Sequence, residues 1–186
     1  MTTTKPLRAD ARRNRDALLA KARELFAEGC FDLRFDDFAR LAGVGTGTLY
    51  RHFPNRAALA EAVYREELAG LCERGRTLRT TLPAAEALAT FLRGFVAHLH
   101  GHQGLARTLA NLMSAQPDTL ADGGRELEQV ITELLAAGVD EGTVRDDVSA
   151  GAVLMVLQGV STACGQPGSR ADADGAVTLV LDGLRR

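Results

Sequence analysis

Five side chains that donate or accept hydrogen bonds, Thr46, Thr48, Tyr50, Arg51 and His52, crowd into seven residues. Helical spacing places Leu49 and Phe53 together on one side, four residues apart, and leaves those polar groups largely outside. A short helix with two apolar anchors and a polar rim is built to read a surface, as the second helix of a helix-turn-helix reads a DNA major groove. Arg51 has the strongest claim to sequence readout. Its guanidinium matches both guanine acceptors in that groove, a contact worth about 1–3 kcal/mol of discrimination. Thr46 and Thr48, at the amino end, suit a phosphate or a thymine methyl. Two alternatives stay open: Tyr50 either packs against the helix end or meets a phosphate, and His52 either caps backbone or faces outward.

The preceding residues supply the frame. Asp36 to Ala42 reads as a first short helix, with two carboxylates in its opening turn, where the helix dipole favours them. Phe38, Leu41 and Ala42 form its expected apolar face. Gly43 suits a left-handed stop, and Val44 an apolar plug within the turn.

No comparable chemistry appears elsewhere. The sequence has no Gly-x-Ser-x-Gly, no phosphate loop and no usefully spaced His and Cys, so no enzyme is expected. Cys30, Cys72 and Cys164 are odd in number and far apart, which fits buried small hydrophobes better than disulfides or a zinc site. In His98-Leu99-His100-Gly101-His102, His98 and His102 share a face if the helix persists, a metal-like spacing without a clear third ligand. Polar contact to a bound organic molecule, or surface histidines near a helix end, are the competing readings. No metal and no cofactor is assigned.

The chain of 186 residues is long enough to bury a real core, and 46% hydrophobic with 25% charged residues excludes disorder. Its N-terminus lacks a secretory signal, and no apolar run approaches the ~20 residues of a membrane span; a cytoplasmic protein without membrane association is expected. The net charge of −2 conceals a division: residues 1–60 carry 11 Lys/Arg against 7 Asp/Glu, and residues 61–186 carry 11 against 17. A basic N-terminal part on an acidic body fits a polyanion at one end.

In chain order, residues 1–8 read as a flexible arm bearing Lys5 and Arg8. Ala9 to Glu28 reads as a helix, apolar through Leu18, Ala22, Leu25 and Phe26 and basic through Arg12, Arg13, Arg15, Lys21 and Arg23. The basic run at its start either reaches phosphates or merely solvates the helix. Phe35 is expected to join Phe26 and Phe38 beneath the reading helix. Pro54 and Asn55 close that helix and open the next, from Arg56 toward Thr80, with Leu59, Val63, Leu68, Leu71 and Leu78 inward. Further helices are expected over 84–101, 104–113, 125–137, 148–164 and 171–184. The stretch Val148 to Cys164 is apolar on nearly all sides and must be covered all round.

The span from Arg12 to Tyr64, above all Ala42-Gly43-Val44-Gly45-Thr46-Gly47-Thr48-Leu49-Tyr50-Arg51-His52-Phe53-Pro54-Asn55-Arg56-Ala57-Ala58-Leu59, resembles the DNA-binding domain of the TetR family of bacterial transcriptional regulators. The resemblance implies an all-α fold of about nine helices, with a three-helix DNA-binding domain over 1–55 and a helical ligand-binding and dimerisation domain over 56–186. It also implies DNA contacts from Thr46, Gly47, Thr48, Tyr50, Arg51, His52 and Arg56. Many relatives carry Ser or Thr where this chain has Arg34-Phe35, and Ser at Gly45. Arg34 replaces the first hydroxyl's phosphate contact with a charged one, and Asp32 is left to supply the cap. The expected function is a homodimeric repressor, released by a small-molecule effector from a near-palindromic double-stranded operator. The helices near 148–164 and 171–184 are the expected dimer interface. Candidate lining residues for an effector cavity are Phe91, Phe95, His98, His102, Leu109, Met113, Leu127, Ile131 and Met155. Two other classes remain as alternatives: a small helical enzyme or carrier, and a redox or metal sensor on the same scaffold.

Overall fold

The computed structural model describes residues 4–30, 33–101, 105, 109, 111, 117–163 and 170–186. Eight helices are delimited among them: α1 (Thr4–Ala27), α2 (Phe35–Leu41), α3 (Thr46–His52), α4 (Arg56–Thr81), α5 (Ala84–Gly101), α6 (Pro117–Asp140), α7 (Ala150–Ala163) and α8 (Arg170–Leu184). The expected all-α class holds. A lone antiparallel bridge, Val144 to Arg185, joins the turn after α6 to the end of α8. Two compact units emerge from the contacts: residues 1–66 with 104–117, and residues 67–103 with 118–186.

In the first unit α1, α2 and α3 pack on one another. Leu18, Leu19, Leu25 and Phe26 of α1 meet Phe38, Leu49 and Phe53 in a small core, joined by Leu59 and Val63 from α4. Helix α1 begins at Thr4, five residues ahead of the expected start. Pro6 lies in its first turn, where backbone N–H groups have no intrahelical partner to lose. The end of α2 shows why Gly43 occupies its place: φ is +68°, its N–H bonds Arg40 O, and Val44 N–H bonds Ala39 O. This paired arrangement satisfies two orphan carbonyls and needs a residue free to turn left-handed. Asn55 caps α4 as expected, its Oδ1 accepting the Ala58 N–H at 2.9 Å.

The second unit is built around one apolar core in which Leu71 and Cys72 of α4, Leu88, Phe91, Leu92 and Phe95 of α5, Val130, Ile131 and Leu134 of α6, Val153 and Leu157 of α7, and Val177 and Leu181 of α8 are all buried. Helix α6 is far longer than its expected span of 125–137. Pro117 starts it at a position that favours proline and Asp118 complements the dipole, while Gly123 and Gly124 are absorbed at a propensity cost of about 1 kcal/mol each. Helix α7 starts at Ala150, two residues later than expected, because Ser149 Oγ takes the Ala152 N–H. At the start of α5, both carboxylate oxygens of Glu141 accept the Ala84 N–H at 3.1 and 3.2 Å. Of the helix expected over 104–113, Leu105, Leu109 and Asn111 are described, all helical. No described helix is long and apolar enough to cross a membrane.

Candidate nucleic-acid interface

Helix α3 is seated by Leu49, fully buried, and by Phe53 at its C-cap. Of the rim expected outside, Thr46, Tyr50 and Arg51 are exposed, whereas Thr48 and His52 are half-buried; Gly47 is exposed as well. Tyr50 is the largest apolar surface there, half exposed. Gly45 occupies the N-cap without a side chain, and a Cβ built on it would meet only Thr48 Oγ1 at 4.0 Å. Crowding therefore does not explain the missing hydroxyl, and the amino end of α3 presents bare backbone.

Beside it, Arg34 is the N-cap of α2 and makes no side-chain cap bond. Asp32, the residue expected to compensate, lies outside the described residues. Instead Asp36 and Asp37 meet the positive end of the short dipole, and Asp37 pairs with Arg40 at 3.1 Å. Leu41, expected on the apolar face of α2, is 40% exposed. Phe38 is buried as expected, with Ala39 rather than Leu41 beside it, so α2 is turned slightly relative to the face read from its spacing.

An aromatic chain ties the reading helix to this frame. Phe26 meets Phe38 at 5.5 Å, Phe38 meets Phe35 at 6.1 Å, and Phe35 meets Tyr50 edge-on at 5.4 Å. The nearby Asp36 carboxylate raises the phenol pKa above its usual 10.0, with partial desolvation acting in the same sense and Arg34 opposing. Asp36 was not a sequence candidate, since only tertiary packing brings the first turn of α2 to the outer side of α3.

Some basic residues have structural rather than reading positions. Arg15 and Arg23 both reach Glu66 of α4, at 3.2 and 3.4 Å, and Arg15 also lies 5.9 Å from the Phe53 ring centre. These two therefore bind α1 to α4, while Arg12 stays exposed. Arg56, implied as a DNA contact, is half-buried with its guanidinium 5.7 Å over the Phe38 ring.

In the second unit, Phe91 and Phe95 stack at 6.4 Å, and Leu127 and Ile131 are buried beside them in the same core. His98 Nε2 lies 3.3 Å from a Glu67 carboxylate oxygen, both side chains only 16% exposed. Glu67 was missed, yet it falls midway between Val63 and Leu71 at four-residue spacing, a position that reads as inward. Leu109 is buried and belongs to the first unit. Met155 is 73% exposed, so it does not line the interior of the chain. The cause is the phase of α7, which turns Val153, Leu154 and Leu157 inward and Met155 and Val156 outward. His102 and Met113 lie outside the described residues. No group of three potential metal ligands occurs among the described residues. Cys72 is buried, its thiol pushed up to about 11, chiefly by desolvation.

Comparison with known proteins joins the two units to one family. Residues 18–63 match the family of bacterial regulatory proteins, tetR family, and residues 83–186 match the C-terminal domain of transcriptional regulators described as SbtR-like. The TetR transcriptional regulator SCO0520 from Streptomyces coelicolor is 38% identical, with 92% of this chain and 98% of that chain covered and a TM-score of 0.76. A TetR transcription regulatory protein from Mycobacterium vanbaalenii is 34% identical over 97% of this chain and 100% of its own, with a TM-score of 0.73. The HTH-type transcriptional repressor KstR2 of Mycolicibacterium smegmatis is 28% identical, with 91% of this chain and 90% of the relative covered. With its α2-turn-α3 reader in the matched N-terminal segment and its helical body in the matched C-terminal one, the chain belongs to the TetR family of DNA-binding transcriptional regulators.

Proposed function

We propose that the protein is a homodimeric repressor that binds a near-palindromic operator in the cytoplasm and is released by a small-molecule effector. Residues 1–55 form its DNA-binding domain and residues 56–186 its effector-binding and dimerisation domain. The observation that carries the reading is the seating of α3: two buried anchors hold a seven-residue helix whose Thr46, Gly47, Tyr50 and Arg51 face outward. Arg51 reads a base, Thr46, Gly47 and Thr48 approach the backbone or a thymine methyl, and Arg34 neutralises a phosphate. His52 and Arg56 flank this surface.

The exposed apolar side chains of the last two helices, Met155 at 73%, Val156 at 49% and Leu179 at 75%, support a second copy as the cover. Apolar groups so placed gain about 25 cal/mol per Å² on burial. Dimerisation sets two copies of α3 at a fixed spacing, which turns a half-site into an approximate palindrome. The relative KstR2 is named as a repressor, which supports that sign of regulation. The effector is assigned to the apolar interior of the body, with Phe91, Phe95, Leu127 and Ile131 as walls and His98 as the polar group. Selection of bound sequences from a random DNA pool, with light scattering of the complex, tests the reading. A two-fold symmetric site bound by two chains is expected; an asymmetric site bound by one chain contradicts it.

A further inference from the structure

A carboxylate and an imidazole meet at the edge of the apolar core of the second unit, to which both Glu67 and His98 belong. Glu67 lies one turn of α4 before buried Leu71, and His98 one turn of α5 after buried Phe95, so each continues the inward face of its helix. Their chain neighbours Leu68 and Leu99 pack against the same core. His98 Nε2 stands 3.3 Å from Glu67 Oε2, and each side chain is only 16% exposed. Nearby pairs between α4 and α6, Arg76 with Glu126 and Arg79 with Glu133, are far wetter and use guanidinium groups. Arginine is the residue best suited to a buried ion pair, whereas an imidazole carries a full charge only when protonated. A carboxylate also accepts at about four lone-pair positions, so one imidazole nitrogen does not saturate it. The pair therefore sets acceptor strength and negative charge beside the aromatic and aliphatic side chains of Leu71, Phe91 and Phe95.

We propose that Glu67 determines the specificity of the effector site: it receives the ammonium group of an apolar amine, while His98 holds the carboxylate in place. The inference rests on the assignment of the effector to this interior and adds its chemical class. In a mostly apolar site a few fixed polar groups decide which ligand is oriented and retained. An ammonium brings three donors and a positive charge, and both complement a carboxylate. A hydroxyl supplies a donor without the charge, so an alcohol of the same shape fits less well. A ligand carboxylate supplies no donor and meets like charge, which excludes it. The neighbouring leucines and phenylalanines take the rest of the molecule.

Calorimetric titration of the full chain near neutral pH with naphthylmethylamine, naphthalenemethanol and naphthoate tests this, since the three share one ring body and differ only in the head group. The amine should bind about tenfold tighter than the alcohol, as expected for a hydrogen bond to a charged group, and the carboxylate weakest of all. Glu67→Gln should weaken the amine about tenfold and leave the alcohol nearly unchanged, which levels the series. Glu67→Asp, which keeps the charge, should keep the order. Glu86→Gln removes the same charge from an exposed position on α5 and should also keep it. Matched thermal melts show that the variants are folded, and the order in the unsubstituted chain stands without them. A carboxylate bound as tightly as the amine overturns the proposal while leaving an effector site in place. An unchanged order in Glu67→Gln overturns it as well, because the pair would then only join α4 to α5. Binding of none of the three, repeated with decyl bodies in place of naphthyl, removes the interior as an effector site and this inference with it.

Discussion

Gly75→Ala adds a single methyl group where α4 meets Val130 of α6 and Phe91 of α5. An ideal Cβ there falls 2.4 Å from Val130 Cγ1 and 2.9 Å from Phe91 Cε2, more than 1 Å and about 0.6 Å inside the ~3.5 Å of ordinary carbon contact. Both neighbours are 2% exposed, and Phe91 is stacked on Phe95, so neither turns aside freely. Overpacking of a tight core costs about 1–3 kcal/mol, and the upper end applies to so short a contact. Gly→Ala in a helix returns about 1 kcal/mol. The net loss is about 2 kcal/mol, or a fall in Tm of about 4–8 °C for a chain of this size. Gly70→Ala, five residues earlier on the same helix, is the control: its Cβ meets nothing within 4 Å, so it should raise Tm by about 2–4 °C. The ion pairs flanking Gly75, Arg76 with Glu126 at 3.2 Å and Arg79 with Glu133 at 3.7 Å, are a third to a half exposed and worth under about 1 kcal/mol each. They cannot reverse the sign. Thermal melts at one fixed protein concentration provide the assay, since the proposed dimerisation would make Tm depend on concentration. A Gly75→Ala protein as stable as Gly70→Ala would refute the packing of α4 on α6 described above.

Other outcomes follow from the same geometry. Arg34→Ala should lower the dependence of log affinity on log salt by about 0.9 per half-site, as expected for one phosphate no longer neutralised; equal slopes remove Arg34 from that role. Leu179→Glu, at a position 75% exposed in the single chain, should leave the fold intact by circular dichroism yet shift light-scattering mass from two chains to one. A persistent dimer would move the interface off α8. Iodoacetamide at pH 8 should label half-buried Cys30 well before Cys72, whose thiol stays protonated up to about 11. Because the folded pKa is raised from 9.0, the stability tied to that thiol is retained below pH 9 and lost as pH rises toward 11; fast labelling of Cys72 in native protein counts against its burial.

What the sequence allowed and what it withheld divide along local and tertiary physics. The turn at Gly43, the cap at Asn55 and the anchors Leu49 and Phe53 depend on neighbours within a few residues, so spacing alone located them. The start of α6 escaped because Gly123 and Gly124 look like loop residues, whereas the core contacts of Leu127, Val130 and Ile131 outweigh their propensity cost. Arg15 reads as a phosphate-binding candidate because nothing near it in sequence reveals Glu66, about fifty residues away. Phe35 was legible as a core aromatic but not as the edge-on neighbour of Tyr50, since that contact exists only once α2 packs on α3. Met155 was misplaced for a related reason: a helix apolar all round gives no phase, and only packing shows which side remains uncovered.

The central claim is that α3 reads DNA in two symmetric copies and that Arg51 reads a base in each. It is tested most directly by selecting bound sequences from one random pool with the unsubstituted chain and with Arg51→Ala. The account predicts an inverted repeat with half-sites about one helical turn apart, and loss of preference at one mirrored position in each half, worth about 1–3 kcal/mol. An identical sequence profile for both proteins, or a site without two-fold symmetry, would contradict it.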